Sequence, residues 1–309
     1  MLKKLKCEEK VTASIYAAYL QSAQQQIQLD LTQALDAFTL PEPLKSAVYH
    51  AVMLGGKRVR PALCYAVGRL NQNKNWAAVR RAAVAVELIH CYSLVHDDLP
   101  CMDNDLLRRG QPTCHVAFGE DTALLAGDIL QSMAYEVLSS CLFDDMTVIE
   151  PSVTLKQMQI LATASSKMVS GQVLDLQSEG KKIDQVVLEK IHRNKTGALI
   201  QAAITMSAVT GFNATDVALP KLRQFGEAIG LAFQVQDDIL DITADTARLG
   251  KTAGKDVQVE KSTYPALMGL EGAKQYANQL HDEALEALAH FGTETELHLI
   301  TEFLLTRNY

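Results

Sequence analysis

Seven stretches of this chain, residues 13–38, 76–98, 121–142, 152–176, 184–211, 216–243 and 264–291, carry apolar residues at the three-and-four spacing of an amphipathic helix. Strand-like alternation bounded by turns is nearly absent. The pattern confines the chain to an all-α architecture. Glycine (17) and proline (8) are scarce for 309 residues, as long helices require. The prolines stand where helices begin or end. Pro61, Pro151, Pro220 and Pro265 fall near starts, where a missing N–H costs little. Pro41 and Pro43 follow the first long segment, and Pro100 and Pro112 bracket a polar stretch. No Gly-, Ser- or Pro-rich linker and no fixed-period repeat interrupts the chain. Residues 1–309 are therefore expected to form one domain of about ten or more helices.

Composition narrows the function. With 29 basic and 36 acidic residues the formal charge is −7, which argues against nucleic acid as a partner. No run of apolar residues is long enough to predict a membrane span. Cysteines 7, 64, 91, 101, 114 and 141 form no CxxC pair, and the charged segment Met1–Lys10 is followed by no signal-type apolar stretch. A cytoplasmic protein with reduced thiols is expected.

The sharpest chemical feature is Asp97-Asp98-Leu99-Pro100-Cys101-Met102-Asp103-Asn104-Asp105, which closes the strongly apolar segment Val79–Val95. Alone, such a run is ordinarily a solvated helix end. A second cluster, Gln234-Val235-Gln236-Asp237-Asp238-Ile239-Leu240-Asp241, ends another apolar segment far along the chain. Asp237 and Asp241 stand at i and i+4, so their carboxylates share a helix face, where like charges repel and a cation would offset the repulsion. Oxygen donors without His or Cys suit a hard ion such as Mg2+, which shares its shell with waters and substrate phosphate. Asp97 and Asp103 lie about 240° apart on an ideal helix. They face one ligand only if the helix ends or bulges between them, and Pro100 supplies the cause.

Basic residues at loop-like positions complete the pattern. Gly55-Gly56-Lys57-Arg58-Val59-Arg60-Pro61 precedes a helix, whose free N–H groups also favour anions. Arg108-Arg109-Gly110 follows the first acidic cluster, Lys195-Thr196-Gly197 lies at a helix junction, and Gly250-Lys251 and Lys261-Ser262-Thr263 follow the second cluster. Singly, each reads as solvated surface. Together with the acidic clusters they describe a cavity for metal and diphosphate.

These motifs, with Gly171-Gln172-x-x-Asp175, DDxxxxD at 97–103 and DDxxD at 237–241, resemble the trans-isoprenyl diphosphate synthases. Within that family the chain is most similar to the bacterial-type farnesyl diphosphate synthases. The likeness runs from about Gly55 to Pro265 and more weakly beyond. It implies the isoprenoid synthase fold, an all-α bundle around a deep central cavity, usually homodimeric. It also implies condensation of isopentenyl diphosphate with dimethylallyl and geranyl diphosphates to give farnesyl diphosphate, with Mg2+ as cofactor, three ions per active site. By the same resemblance Asp97 and Asp103 are metal ligands with Asp98 in support, and Asp237 is a ligand supported by Asp238 and Asp241. Lys57, Arg60, His90 and Arg109 match residues that hold isopentenyl diphosphate. Arg108, Lys195, Thr196, Gln234 and Lys251 match residues that hold the allylic diphosphate or line its cavity. Gln172 and Asp175 resemble a supporting pair near the metals. Leu106 departs from the pattern, standing where many relatives carry a further Asp.

The family reaction ionises the allylic diphosphate. The double bond of isopentenyl diphosphate attacks the cation, and a proton is lost. No protein base is obvious, so the departed diphosphate is expected to take that proton. Asp97, Asp103, Asp237, Lys195, Thr196 and Gln234 are the catalytic candidates. Tyr92, five residues before Asp97, lies about 7.5 Å deeper along a helix, and Ser93 one residue nearer. An aromatic ring there, with the two-residue insertion in the first Asp motif, goes in this family with a C15 product. A geranylgeranyl or other longer-chain synthase is the competing reading. A terpene cyclase would carry a different second motif, and a non-catalytic synthase subunit would tend to lack one of the two. His90, Cys91, His96, Cys101, Cys114 and His115 cluster in sequence, but at no usual zinc spacing; His96 reads as a structural neighbour of Asp97.

Overall fold

The computed structural model describes residues 2–70, 75–144, 150–243, 262–292 and 295–306. It is all-α: α1 (Leu2–Asp36), α2 (Leu44–Met53), α3 (Val59–Leu70), α4 (Trp76–Asp97), α5 (Cys114–Phe118), α6 (Glu120–Ser139), α7 (Pro151–Ser178), α8 (Gln185–His192), α9 (Ala198–Ala208), α10 (Ala218–Thr243), α11 (Tyr264–Leu288) and α12 (Glu296–Thr306). A two-residue antiparallel ribbon, Leu107–Arg108 with Gln111–Pro112, is the one sheet among the described residues.

Local chemistry sets the ends. The Asn75 side chain accepts from the Ala78 N–H at 3.2 Å, Asp184 from Val187 at 2.9 Å and Thr263 from Ala266 at 3.3 Å, each satisfying a donor that the first turn leaves open. Pro151 and Pro265 fall in first turns. Several differences from the sequence reading appear, among them a break inside α11 at Gly269, φ 75° and ψ 162°. The first helix begins at Leu2 rather than near residue 13. The helices α2 and α12 are too short for their periodicity to stand out, whereas α3 begins at the start that Pro61 marks. The helical run over 184–211 changes pitch instead of continuing as a plain α-helix: a π-helical turn, Arg193–Gly197, joins α8 to α9 at the expected Lys195-Thr196-Gly197 junction.

α4 is buried on nearly every side from Ala77 to Cys91 and packs against α3, α6 and α9. A helix apolar all round is stable only at the centre of a bundle. α10 packs against α9 and α11, and Leu188, Leu231, Val235, Ile239, Tyr264 and Leu280 form a smaller core joining α8, α10 and α11. The acidic ends of α4 and α10 are held by this packing. Among the described residues no helix is long and apolar enough to cross a membrane.

One buried polar knot ties α1 to the bundle. The fully buried Asp30 accepts from Arg80 Nε and Nη2 at 3.0 and 2.6 Å, from the Tyr65 hydroxyl at 2.9 Å and from Gln26 at 2.8 Å. Asp30→Ala would leave Arg80 facing the interior without its countercharge. It is expected to lower stability by about 3–5 kcal/mol, read as a fall in the urea midpoint; a loss below about 1 kcal/mol would show the knot to be dispensable.

Candidate active site

Two cavities adjoin at the acidic end of α4, sharing Arg60 and His90 in their walls. The first, about 450 Å³, is largely apolar, and Tyr92, Ser93, Asp97, Gln172, Lys195 and Thr196 line it with Met168 and Leu199. The second, about 570 Å³, is basic, and Lys57, Arg58, Arg60, Arg108 and Arg109 line it with Glu87 and Asp237. The two acidic clusters thus open onto neighbouring hollows rather than opposite surfaces.

α4 ends at Asp97, and the chain turns back. The Asp103 N–H donates to the Asp97 carbonyl at 2.8 Å, and the Met102 and Asn104 N–H groups donate to the Leu99 carbonyl at 2.9 and 3.1 Å. The helix stop before Pro100 is what brings Asp103 beside Asp97. Buried Asp98 takes a forked pair from Arg108, whose Nε lies 2.8 and 3.0 Å from its oxygens and whose Nη2 lies at 2.5 Å. Arg108, expected at the allylic diphosphate, is paired with Asp98 and lines the basic cavity. Burial pushes the Asp97 carboxyl up to about 6, with Lys195 drawing it down and Asp103 adding to the rise. His96 serves structure: its Nε2 lies 2.9 Å from the Leu124 carbonyl, over Gly127 of α6.

The π turn carries the opposite wall. Lys195 Nζ donates to Asp175 at 2.7 Å, the Thr196 hydroxyl to Gln234 Oε1 at 3.2 Å, and Gln234 Nε2 to Asp238 at 3.1 Å. Asp238 also accepts the Tyr264 N–H at 3.1 Å. His192 stacks on the Tyr264 ring, and burial pushes its imidazole down to about 4, so it is neutral at pH 7. A wide π turn is a frequent device for turning backbone and side chains into a site. Glycines permit it here. A Cβ on Gly171 would sit 2.8 Å from Lys195 Cα and closer still to its backbone nitrogen, and one on Gly230 would sit 3.1 Å from Gly197 Cα. Asp238 and Asp241 are buried, whereas the half-buried Asp237 faces the basic cavity.

The basic wall is a strained turn between α2 and α3. Gly55, Gly56 and Arg58 have φ of 85°, 123° and 51°. The Arg109 guanidinium donates to the Gly55 carbonyl and lies where a Cβ on Gly56 would stand. The Lys57 carbonyl accepts from Gln24 at 3.4 Å. Burial foremost, then the neighbouring arginines, pushes His90 well below the usual imidazole range, so it offers a neutral N–H. Burial also lowers Arg60. Lys251 lies outside the described residues. The sequence reading gave no role to Arg58, Glu87, Gln24 or Phe233, all in this wall. Glu87 was the detectable one, as the single acid inside the apolar segment Val79–Val95.

The donors fit a hard cation. Among the described residues, no three acidic, His or Cys side chains converge into a closed shell. The two acidic clusters nonetheless supply oxygen donors of the kind Mg2+ takes, with its remaining positions going to water and phosphate. The raised Asp97 carboxyl marks partly buried negative charge beside Asp103 and Asp98, which a cation would offset.

The polyprenyl synthetase family profile matches residues 41–300. A curated farnesyl diphosphate synthase of Haemophilus influenzae is 50% identical over 273 residues, 86% of this chain and 89% of that protein. The large subunit 1 of a heterodimeric geranylgeranyl pyrophosphate synthase of Arabidopsis thaliana is 47% identical over 272 residues, 85% of this chain and 72% of that one. Among solved structures, the geranyltransferase of Helicobacter pylori complexed with magnesium and isoprenyl diphosphate matches at 32% identity and a TM-score of 0.77, over 93% of this chain and 96% of its own.

Proposed function

The chain belongs to the polyprenyl synthetase family, and we propose on that premise that residues 1–309, as one domain, make farnesyl diphosphate from isopentenyl diphosphate and the dimethylallyl and geranyl diphosphates. The observation that carries the reading is the pairing of cavities: an apolar channel lined by Asp97 and Lys195 adjoins a pocket lined by Lys57, Arg60 and Arg109. One hollow suits a prenyl tail whose diphosphate leaves. The other suits a diphosphate that stays.

Asp97, Asp103 and Asp237 are the residues that would hold Mg2+, three ions per site, supported by Asp98, Asp238, Asp241, Gln172 and Asp175. When bound, the metal acts as a Lewis acid and template for the leaving diphosphate. Lys195 brings positive charge to the same end of the channel, preorganised by its bond to Asp175. The Thr196 hydroxyl and Gln234 carbonyl oxygen, held to each other, present negative dipole ends toward carbon that turns cationic. In the basic pocket Lys57, Arg60 and Arg109 neutralise the stationary diphosphate directly, arginine giving forked contacts, and neutral His90 adds an N–H.

Tyr92 and Ser93 line the apolar channel, the Tyr92 ring standing edge-on to His96 with centroids 5.0 Å apart. Tyr92→Ala should open the floor and shift products beyond C15, seen by mass spectrometry of products formed from dimethylallyl and isopentenyl diphosphates with Mg2+. An unchanged profile in a folded variant would remove Tyr92 as the stop. With the wild type, the same measurement tests the activity itself: a dominant C20 or longer product would favour the longer-chain reading. The proposal includes a cytoplasmic homodimer. Leu124 and Leu125 on α6 are 47% and 55% exposed, apolar surface that a second copy would cover.

A further inference from the structure

We propose that Arg58 and Glu87 are positioning residues for the isopentenyl diphosphate pocket, setting the Gly55–Arg60 turn so that Lys57 and Arg60 meet the diphosphate while neither member of the pair touches it. The inference rests on the function proposed above.

Lys57, Arg58, Arg60, Arg108 and Arg109 all line one cavity. Arg58 alone among them is turned wholly inward. Its side chain and that of Glu87 are each 3% exposed, with Nη1 2.6 Å from Glu87 Oε1. Nη2 donates to the Val52 carbonyl at 2.5 Å. Val52 belongs to the last turn of α2, Glu87 to the middle of α4, and the Arg58 carbonyl accepts from the Ala62 N–H in the first turn of α3 at 3.1 Å. The guanidinium therefore ties α2 to α4, and the backbone carbonyl of the same residue takes the first-turn bond of α3, at the point where the basic turn is made. Arg58 does so from a left-handed backbone, φ 51°, uncommon for a residue with a Cβ and kept where the surroundings over-determine it.

A buried ion pair adds little to stability that packed apolar residues would not. What the pair supplies here is fixed direction. Arg58 flanks Lys57 directly and stands two residues before Arg60, so any rotation of the turn carries both away from the pocket. Glu87 also offsets one positive charge among five, which lets the cations crowd together before a diphosphate arrives.

The test uses full-length protein with Glu87→Gln, which keeps shape and removes charge, and Arg58→Lys, which keeps charge and loses the fork. Isopentenyl diphosphate binding is measured calorimetrically without metal, alongside separate KM values for both substrates and circular dichroism. In Glu87→Gln, affinity for isopentenyl diphosphate should fall about 10–100-fold, the loss of one charge-assisted hydrogen bond. The KM for dimethylallyl diphosphate should stay within about twofold. Arg58→Lys should fail to rescue, since an ammonium cannot span Glu87 and the Val52 carbonyl together. Unchanged affinity in folded Glu87→Gln, an equal rise in both KM values, or full binding by Arg58→Lys would overturn the proposal. If the wild type itself fails to bind isopentenyl diphosphate, the functional reading falls as well; binding by the wild type with no effect of Glu87→Gln removes only the positioning role.

Discussion

Replacing Asp97 by Asn is expected to lower turnover by about 10³-fold or more while raising the melting temperature of the metal-free protein at pH 7. Both effects come from one carboxylate. Asp97 closes α4 at the edge of the apolar channel, with Asp103 folded back beside it. As a proposed ligand it would help hold Mg2+, which when bound would supply several kcal/mol of charge stabilisation to the departing diphosphate, and about 1.4 kcal/mol is a factor of ten in rate. Without metal the same carboxylate is a liability. Burial lifts it to about 6 from an ordinary 3.8. The folded state thus holds its proton more firmly than the unfolded chain. Its favourable contribution is complete below about pH 3.8 and is lost as pH rises through about 6. At pH 7 the metal-free fold carries the cost of an ionised, partly desolvated Asp97, which asparagine does not. Melting curves across pH 4–8 without metal should show the wild type losing stability relative to Asp97→Asn as pH rises, with added Mg2+ restoring the wild type alone. A variant that melts lower than the wild type at pH 7 without metal would contradict this account.

Gly171→Ala should lower kcat by about 10²-fold in a protein that still folds. The added methyl would stand 2.8 Å from Lys195 Cα, and the obstacle is backbone, not a side chain able to swing aside. α7 and the π turn must separate. Overpacking of this kind costs about 1–3 kcal/mol of stability. The catalytic loss should be larger, because Lys195 and Thr196 ride on the displaced segment, and a 1 Å misplacement is worth about 10²-fold. Lys195 would also leave Asp175, 2.7 Å away on the same α7. Steady-state kinetics beside a melting curve separates the two effects. Wild-type kcat with normal stability would mean that the turn tolerates the methyl group.

Much of this architecture was legible in residues alone, though unevenly. Long helices such as α4, α6, α7 and α10 emerged because each repeats its apolar face over many turns. The short helix α2 did not, although the start of α3 at Pro61 and the basic turn before it did, since proline, glycines and cations punctuate them. The junction at Lys195-Thr196-Gly197 was legible within the helical stretch 184–211, but its π-helical form was not, because a wider turn leaves composition untouched. Arg108 shows another limit. The resemblance implies a place for it at the allylic diphosphate, but its fork on Asp98 is a pairing that only three-dimensional proximity reveals.

The amino-acid order by itself determined the helical class, the two acidic helix ends and the cations suited to phosphate, because periodicity and ionic character are local properties. The tertiary structure decided which carboxylates are buried and which basic groups are already committed to partners. It also decided that Gly171 marks a backbone contact and that Glu87 belongs to Arg58. Desolvation and close approach depend on what the rest of the chain brings alongside, and no stretch of sequence contains that information.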